Sequence, residues 1–245
     1  MTDPTLDHDY RKGDTGPKVR LIQEWLCLNG LQLTIDGNFG PATDFAVRQF
    51  QAKAALAQDG VVGPLTFARL TQPLTEALKP IAVANQTLGE MVVLYAHQHL
   101  RQRPREVGGQ NRGPWVRLYM NGQEGAEWPW CAGFASFLIT QACQALNAAP
   151  PIAPSVSCDT LAASAKAAGR FLGETEATDH ARITPGSLFL NRRTATDWVH
   201  SGVVLQAGAD VFQTIEGNTN DDGSREGYEV CQRVRGYASK DFIVW

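Results

Sequence analysis

Trp198-Val199-His200-Ser201-Gly202-Val203-Val204-Leu205-Gln206, then Ala207-Gly208-Ala209, then Asp210-Val211-Phe212-Gln213-Thr214-Ile215-Glu216-Gly217-Asn218, reads as two β-strands joined by a short glycine-centred loop. Alternation places Trp198, His200, Val204, Phe212, Thr214 and Glu216 on one face, and Val199, Val203, Val211 and Ile215 on the other. Both faces therefore carry apolar cover. Centring a three-residue loop on Gly208 sets His200 directly opposite Glu216, with Asn218 two positions further along the same face. Directly opposed side chains have Cβ atoms about 4.5–5.5 Å apart, within reach of an imidazole–carboxylate hydrogen bond.

Around this hairpin, Pro185-Gly186 turns the chain into further strands over 187–191, 229–235 and 241–245. Helices precede them. Thr87 is placed to cap one that runs through Leu88, Met91, Val92, Tyr95 and Leu100 towards Pro104. His97 and His99 lie on it two residues apart, pointing to nearly opposite sides, so they read as exposed or partly buried structural histidines rather than a metal clamp. After Trp128-Pro129-Trp130, Cys131 opens an uncharged segment to Leu146 that carries Phe134, Phe137, Leu138, Ile139 and Ala142. A helix apolar nearly all round belongs at the centre of a domain. A cysteine in its first turn has its thiolate stabilised by unpaired N–H groups and the helix dipole. Cys27 and Cys143, in mid-helix positions, read as inert; Cys158 and Cys231 receive no role. A helix-capping cysteine, a strand histidine and a cross-strand acid form the layout of a thiol hydrolase, against which stands the plainer reading of His200 as a structural residue.

Near the start of the chain, Asp36-Gly37-Asn38-Phe39-Gly40-Pro41-Ala42-Thr43 recurs as Asp59-Gly60-Val61-Val62-Gly63-Pro64-Leu65-Thr66, with a weaker echo at Gly13-Asp14-Thr15-Gly16-Pro17. Glycine permits the turn and proline suits a first helical position, so each unit predicts a turn followed by a helix. The repeated Asp, Gly, Pro and Thr read as turn and cap residues rather than ligand contacts. The expected organisation is an N-terminal tail over 1–10, a three-helix module over 11–72, a linker over 73–86 and a second domain over 87–245.

Of the 245 residues, 43% are apolar and 19% charged, the composition of a globular chain. Lys plus Arg number 22 against 25 Asp plus Glu, a net charge of −3, which offers no electrostatic footprint for nucleic acid or an anionic membrane. No apolar run approaches the roughly 18 residues of a spanning helix. The polar, acidic stretch Met1–Asp9 lacks the basic start and apolar core of a secretory signal, so synthesis in the cytoplasm without a signal peptide is expected. Five scattered cysteines without a C-x-x-C pair indicate neither a disulfide framework nor a thiolate zinc site.

Arg11 to Leu70, with its paired D-G-x-x-G-P-x-T units and Val47-Arg48-Gln49-Phe50-Gln51, resembles the peptidoglycan-binding domain found beside many cell-wall hydrolases. The remainder, from about Leu88, resembles the cysteine, histidine-dependent amidohydrolase/peptidase (CHAP) family. The matching pieces are Glu106-Val107-Gly108-Gly109-Gln110-Asn111-Arg112-Gly113, Trp130-Cys131-Ala132-Gly133-Phe134, His200-Ser201-Gly202-Val203-Val204 and Glu216-Gly217-Asn218-Thr219-Asn220. This resemblance implies a papain-like (NlpC/P60-like) α+β domain with a central helix packed on an antiparallel sheet. It makes Cys131 the nucleophile, His200 the base, Glu216 the orienting acid and Asn218 an auxiliary polar group. It also implies a groove walled by the Gly108-Gly109 loop, with Asn111, Trp130 and Trp198 as substrate contacts, and neither cofactor nor metal.

The two resemblances together imply a peptidoglycan amidase or endopeptidase acting in the periplasm or cell wall. Two routes there are open: a phage endolysin released when the membrane fails, or an injected antibacterial effector, which brings a secretion machine and an immunity protein as partners. Against the enzyme stand a non-catalytic wall-binding protein with a hydrolase-like domain and a cytoplasmic transamidase acting on proteins.

Overall fold

The computed structural model describes residues 5–177, 179–220 and 227–245; the first four residues of the expected tail lie outside it. The chain forms two compact units, Met1–Leu78 with Arg105–Gly125, and Lys79–Pro104 with Ala126–Trp245.

In the first unit, α1 (Pro17–Leu28), α2 (Pro41–Lys53) and α3 (Pro64–Leu70) each begin with a proline behind an N-cap glycine, Gly16, Gly40 or Gly63, as the repeated turns predict. The turns are wired to two buried glutamines. Gln23 Nε2 donates to Asp36 Oδ1 (2.8 Å) and Thr43 Oγ1 (3.1 Å), while its Oε1 accepts the Gly37 N–H (2.8 Å). Gln51 repeats the arrangement with Asp59 (2.8 Å), Thr66 (3.2 Å) and the Gly60 N–H (3.0 Å). The repeated Asp and Thr side chains thus brace the turns through these glutamines, the threonines buried and the aspartates at the surface.

Three expectations for this unit need correction. Tyr10, assigned to the tail, is buried and bridges Val62, because a tyrosine ring can complete so small a core. Residues 73–78, assigned to the linker, belong to a helix (α4, Gln72–Leu78), since Leu74 and Ala77 at helical spacing bury one side of it. Arg105–Gly125, expected in the second domain, clusters with the first unit and carries α6 (Pro114–Tyr119). There Trp115 packs edge-on against Trp25 at 5.9 Å, and Arg117 joins the buried Glu24 (2.5 Å) to Glu124 (2.7 Å).

The second unit begins with α5 (Leu88–Arg101), closed at its start by a capping box between Thr87 and Glu90. α7 (Cys131–Ala145) is buried along most of its length and packs against α5 and the two strands Asp197–Ala207 and Val211–Thr219. α8 (Cys158–Ala167), not anticipated, is capped by Ser157, whose hydroxyl accepts the Thr160 N–H. His99 is fully buried rather than part-exposed, its Nε2 2.8 Å from Gln141 on α7.

Among the described residues, six antiparallel strands form one sheet in the order β1-β6-β2-β3-β4-β5: β1 (Phe171–Leu172), β2 (Leu188–Thr194), β3 (Asp197–Ala207), β4 (Val211–Thr219), β5 (Glu229–Gly236) and β6 (Lys240–Ile243). Five occupy the expected segments. The hairpin register differs from expectation. The Gly208 N–H donates to the Val211 carbonyl, leaving Ala209-Asp210 as the loop, and Val203 pairs with Ile215 and Val204 with Thr214. Leu205 is the extra residue of a bulge between Val204 and Gln206. Up to Val204 the pairing lies two positions from the expected one, so those side chains keep their face and His200 and Glu216 become diagonal rather than direct neighbours; beyond the bulge Gln206 and Ala207 pair three positions off and exchange faces.

Candidate active site

Cys131 is the first residue of α7 and is buried. Its peptide is held from behind. The Trp130 N–H donates to Asn218 Oδ1 (3.0 Å), and Asn218 Nδ2 donates to the Gly227 carbonyl (2.6 Å). Asn218 reaches this position from a left-handed backbone, φ 54°, at the end of β4, which asparagine tolerates better than most residues. These bonds tie the start of α7 to the end of β4. β4 meets α7 directly at Gly217, where a Cβ would lie 2.8 Å from both Phe134 and Trp130.

His200 projects from β3 against Phe189, its Nε2 2.8 Å from Glu216 Oε2. Glu216 engages Nε2 and not Nδ1, and the His200 charge and the Ser201 N–H both favour the ionised form of the Cys131 sulfur. Glu216 is fully buried with both oxygens engaged. Oε1 accepts from the Thr214 hydroxyl (2.7 Å) and Arg235 Nε (2.9 Å), and Oε2 accepts from Arg235 Nη2 (2.6 Å) besides meeting His200.

The electrostatics follow from this chain of contacts. Burial alone would raise the Glu216 pKa, but hydrogen bonds and charge from Arg235 and His200 outweigh it and bring the value down to about 2. Burial likewise works against the charged form of His200, yet the Cys131 thiolate and the Glu216 carboxylate push its pKa up from the usual 6.5 to about 9. Cys131 is held well below the ordinary thiol range, first by a hydrogen bond from Cys158 and then by the charge of His200, against the opposing effect of burial. These shifts run in the direction of a thiolate–imidazolium pair backed by a carboxylate and a guanidinium.

Two members of this arrangement escaped the sequence reading. Arg235 stands on the same face of β5 as Cys231, which pairs with Glu216. The Cys158 sulfur lies 3.9 Å from that of Cys131. Ser157-Cys158-Asp159, a cap residue before a cysteine and an acid, was the available signal for a second helix start.

The expected substrate contacts are placed differently. Trp130 is wholly buried, because its ring fills the space left by Gly217. Trp198 is 7% exposed, with its indole N–H donated to Asp241 (2.8 Å) and its ring against Phe171 under the Lys166 ammonium. Both rings make their contacts within the fold. Asn111 belongs to the first unit, buried at φ 49° with its N–H donated to Glu106 (2.7 Å). The Glu106–Gly113 loop closes on itself there through the Val107 N–H and the Arg112 carbonyl.

Residues 15–70 match the family described as "Putative peptidoglycan binding domain". The chain carries a peptidoglycan-binding domain. It is also 41% identical over 73 residues to a zinc D-Ala-D-Ala carboxypeptidase of Streptomyces albus G, a stretch that is 29% of either chain. The chain thus spans less than a third of that relative's length. Among solved structures it is similar to a fused Zn-dependent amidase/peptidase/peptidoglycan-binding domain-containing protein of Clostridium acetobutylicum ATCC 824, at 33% identity over 37% of this chain and 42% of that one, TM-score 0.27. The Burkholderia AP3 phage endolysin is 29% identical over 44% of this chain and 41% of its own, TM-score 0.27. Among the described residues, no group of three or more His, Cys, Asp or Glu is arranged to hold a metal. Nor is any helix among them long and apolar enough to cross a membrane.

Proposed function

We propose that this protein is a cysteine-dependent peptidoglycan hydrolase of the CHAP kind, in which the first unit holds the wall and the second cuts an amide bond of its peptide. The observation that carries the reading is the convergence of Cys131, at the start of a buried helix, with a His200 that is hydrogen-bonded to the buried Glu216. The peptidoglycan-binding domain supplies the substrate class.

In this mechanism the Cys131 thiolate attacks the amide carbonyl, and the N–H groups of the first turn of α7, unpaired within the helix, face the developing oxyanion. The His200 imidazolium protonates the departing amine. The neutral imidazole then takes a proton from water as the water adds to the thioester, and the thiolate leaves. Glu216 keeps Nε2 protonated and stabilises the imidazolium each time it forms.

The test is to incubate intact sacculi with wild-type protein and with Cys131→Ala, then identify the released fragments by mass spectrometry. Stem peptides with a free alanine N-terminus, from wild type only, identify an amidase; separated cross-links identify an endopeptidase. Equal release by both proteins overturns the cysteine mechanism, and wall binding without release by either makes the protein a binding module. Neighbouring genes separate the delivery routes: a holin marks an endolysin, a small immunity protein an effector.

A further inference from the structure

The Cys131 and Cys158 sulfurs are 3.9 Å apart, in contact, and each belongs to the first residue of its helix, α7 and α8. Both are buried, at 4% and 7% exposure, so each is far better placed to meet the other than a thiol from a second molecule. Closing the gap to the about 2.05 Å of an S–S bond asks each sulfur to move about 1 Å, within the sweep of a thiol about its Cα–Cβ bond.

We propose that Cys131 and Cys158 form a redox modification site, at which a peroxide oxidises the reactive thiol and Cys158 resolves it as an intramolecular disulfide. The disulfide does not depend on the assigned hydrolysis; the accompanying loss of activity rests on Cys131 being its nucleophile. In the first step the Cys131 thiolate attacks one oxygen of hydrogen peroxide, the O–O bond breaks, and a sulfenic acid and hydroxide result, the hydroxide taking up the proton that Cys131 lost on ionising and leaving as water. In the second, the Cys158 sulfur attacks the sulfenic sulfur, the S–O bond breaks, and the departing hydroxide leaves as water with the Cys158 proton. Two thiols have then lost two electrons in all, and one peroxide has become two waters.

The two cysteines are unequal in a way that suits these roles. Cys131 is the one held as thiolate and so meets the oxidant first. Cys158 is held as a thiol, first by its hydrogen bond to Cys131, then by burial and by the charge of Cys131, with smaller effects from Asp159 and Asp197. Conversion of Cys131 to an uncharged sulfenic acid removes the thiolate behind the first and third of these causes. Cys158 thereby becomes easier to ionise, at the N-terminus of α8, once there is something for it to attack.

The experiment exposes the reduced full chain to a small excess of hydrogen peroxide and reads intact mass, thiol count after denaturation and the peptide map. The inference expects a loss of two hydrogens, a fall from five thiols to three, and a Cys131–Cys158 cross-linked peptide that dithiothreitol reverses. In Cys158→Ser the same treatment should instead carry Cys131 through sulfenic to irreversible sulfinic acid. Wild-type protein that gains oxygen on Cys131 without the cross-link, or pairs Cys131 with another cysteine, overturns the inference. Sacculus hydrolysis by the same samples separates the two readings. Activity lost with the cross-link and regained on reduction supports both, whereas a cross-linked protein that still hydrolyses at the full rate leaves the redox site standing and removes Cys131 as nucleophile.

Discussion

Arg235 grips both oxygens of the Glu216 carboxylate, with Nε 2.9 Å from Oε1 and Nη2 2.6 Å from Oε2. Glu216 is wholly enclosed, so this fork is what allows the carboxylate to remain ionised beside His200. Removing one partner of a buried pair typically costs about 3–5 kcal/mol, because the other charge stays behind without compensation. Arg235→Met should lower the stability seen in urea unfolding by that order. A carboxyl whose pKa falls on folding, here to about 2, contributes stability above its ordinary pKa, which is lost as pH falls through the folded value. In Arg235→Met the acid loss should therefore begin at higher pH than in wild type. A wild-type acid-unfolding curve in this variant would show that the fork does not govern Glu216.

The ion pair gives pH dependence a direction on each side. Hydrolysis needs the His200 proton for the leaving amine, so its rate should fall as pH rises through about 9. Alkylation of Cys131 by iodoacetamide needs only the thiolate and should not fall there. On the acid side both should decline together, well below the ordinary thiol range, as the thiolate is protonated. A histidine whose pKa rises on folding contributes stability fully present below its ordinary 6.5 and lost as pH climbs through 9. Parallel limbs for hydrolysis and alkylation above neutrality would remove His200 as the proton donor.

Gly202 shares the face of Glu216, and a Cβ there would lie 2.6 Å from Glu216 Cγ and 2.8 Å from the Phe189 ring. Glu216 is tethered at both oxygens and cannot step aside cheaply. Gly202→Ala should displace the carboxylate from His200, lowering kcat by about tenfold to a hundredfold, the range associated with a misplacement of about 1 Å. Overpacking adds a stability cost of about 1–3 kcal/mol. Gly236→Ala, where a Cβ meets nothing within 4 Å, serves as the control in the same assay. Equal kcat for the two variants would mean that the Glu216 position does not matter to turnover.

His200 and Glu216 were legible as partners because strand alternation fixes the face of a side chain, and a pairing shifted by two positions preserves it. The register itself was not legible: Leu205 adds one residue to β3, and no local preference announces a bulge in a run of apolar residues. Cys131 was legible from the uncharged helix behind it. Cys158 and Arg235 were not, because each meets the site only through tertiary packing, from a helix 27 residues on and a strand still further along. Trp130 and Trp198 read as groove residues since an indole suits either a cleft or a core, and the neighbours each one packs against, Gly217 and Asp241, are not legible in the sequence.

In the first unit the buried Gln23 side chain replaces a regular ladder of backbone bonds. Its Oε1 accepts the N–H groups of Asp36 (3.0 Å) and Gly37 (2.8 Å), and its Nε2 donates to Asp36 Oδ1 (2.8 Å), the Asn38 carbonyl (3.0 Å) and Thr43 Oγ1 (3.1 Å). Gln23→Leu has a similar volume but leaves these groups without their partner, at about 1–3 kcal/mol for each one that water cannot reach. Amide hydrogen exchange in α1 and α2 should rise sharply, and sedimentation with sacculi should fall. Gln23→Glu sharpens the argument, because it sets a second carboxylate against that of Asp36, whose pKa is lowered by the Asn38 N–H and by Gln23 itself. Like charges this close cannot both remain ionised, so Gln23→Glu should be less stable than wild type at neutral pH and recover as the solution is acidified and one carboxyl takes a proton. Exchange rates for Gln23→Glu that do not slow on acidification, after correction for intrinsic exchange, would show that the glutamine acts by shape alone.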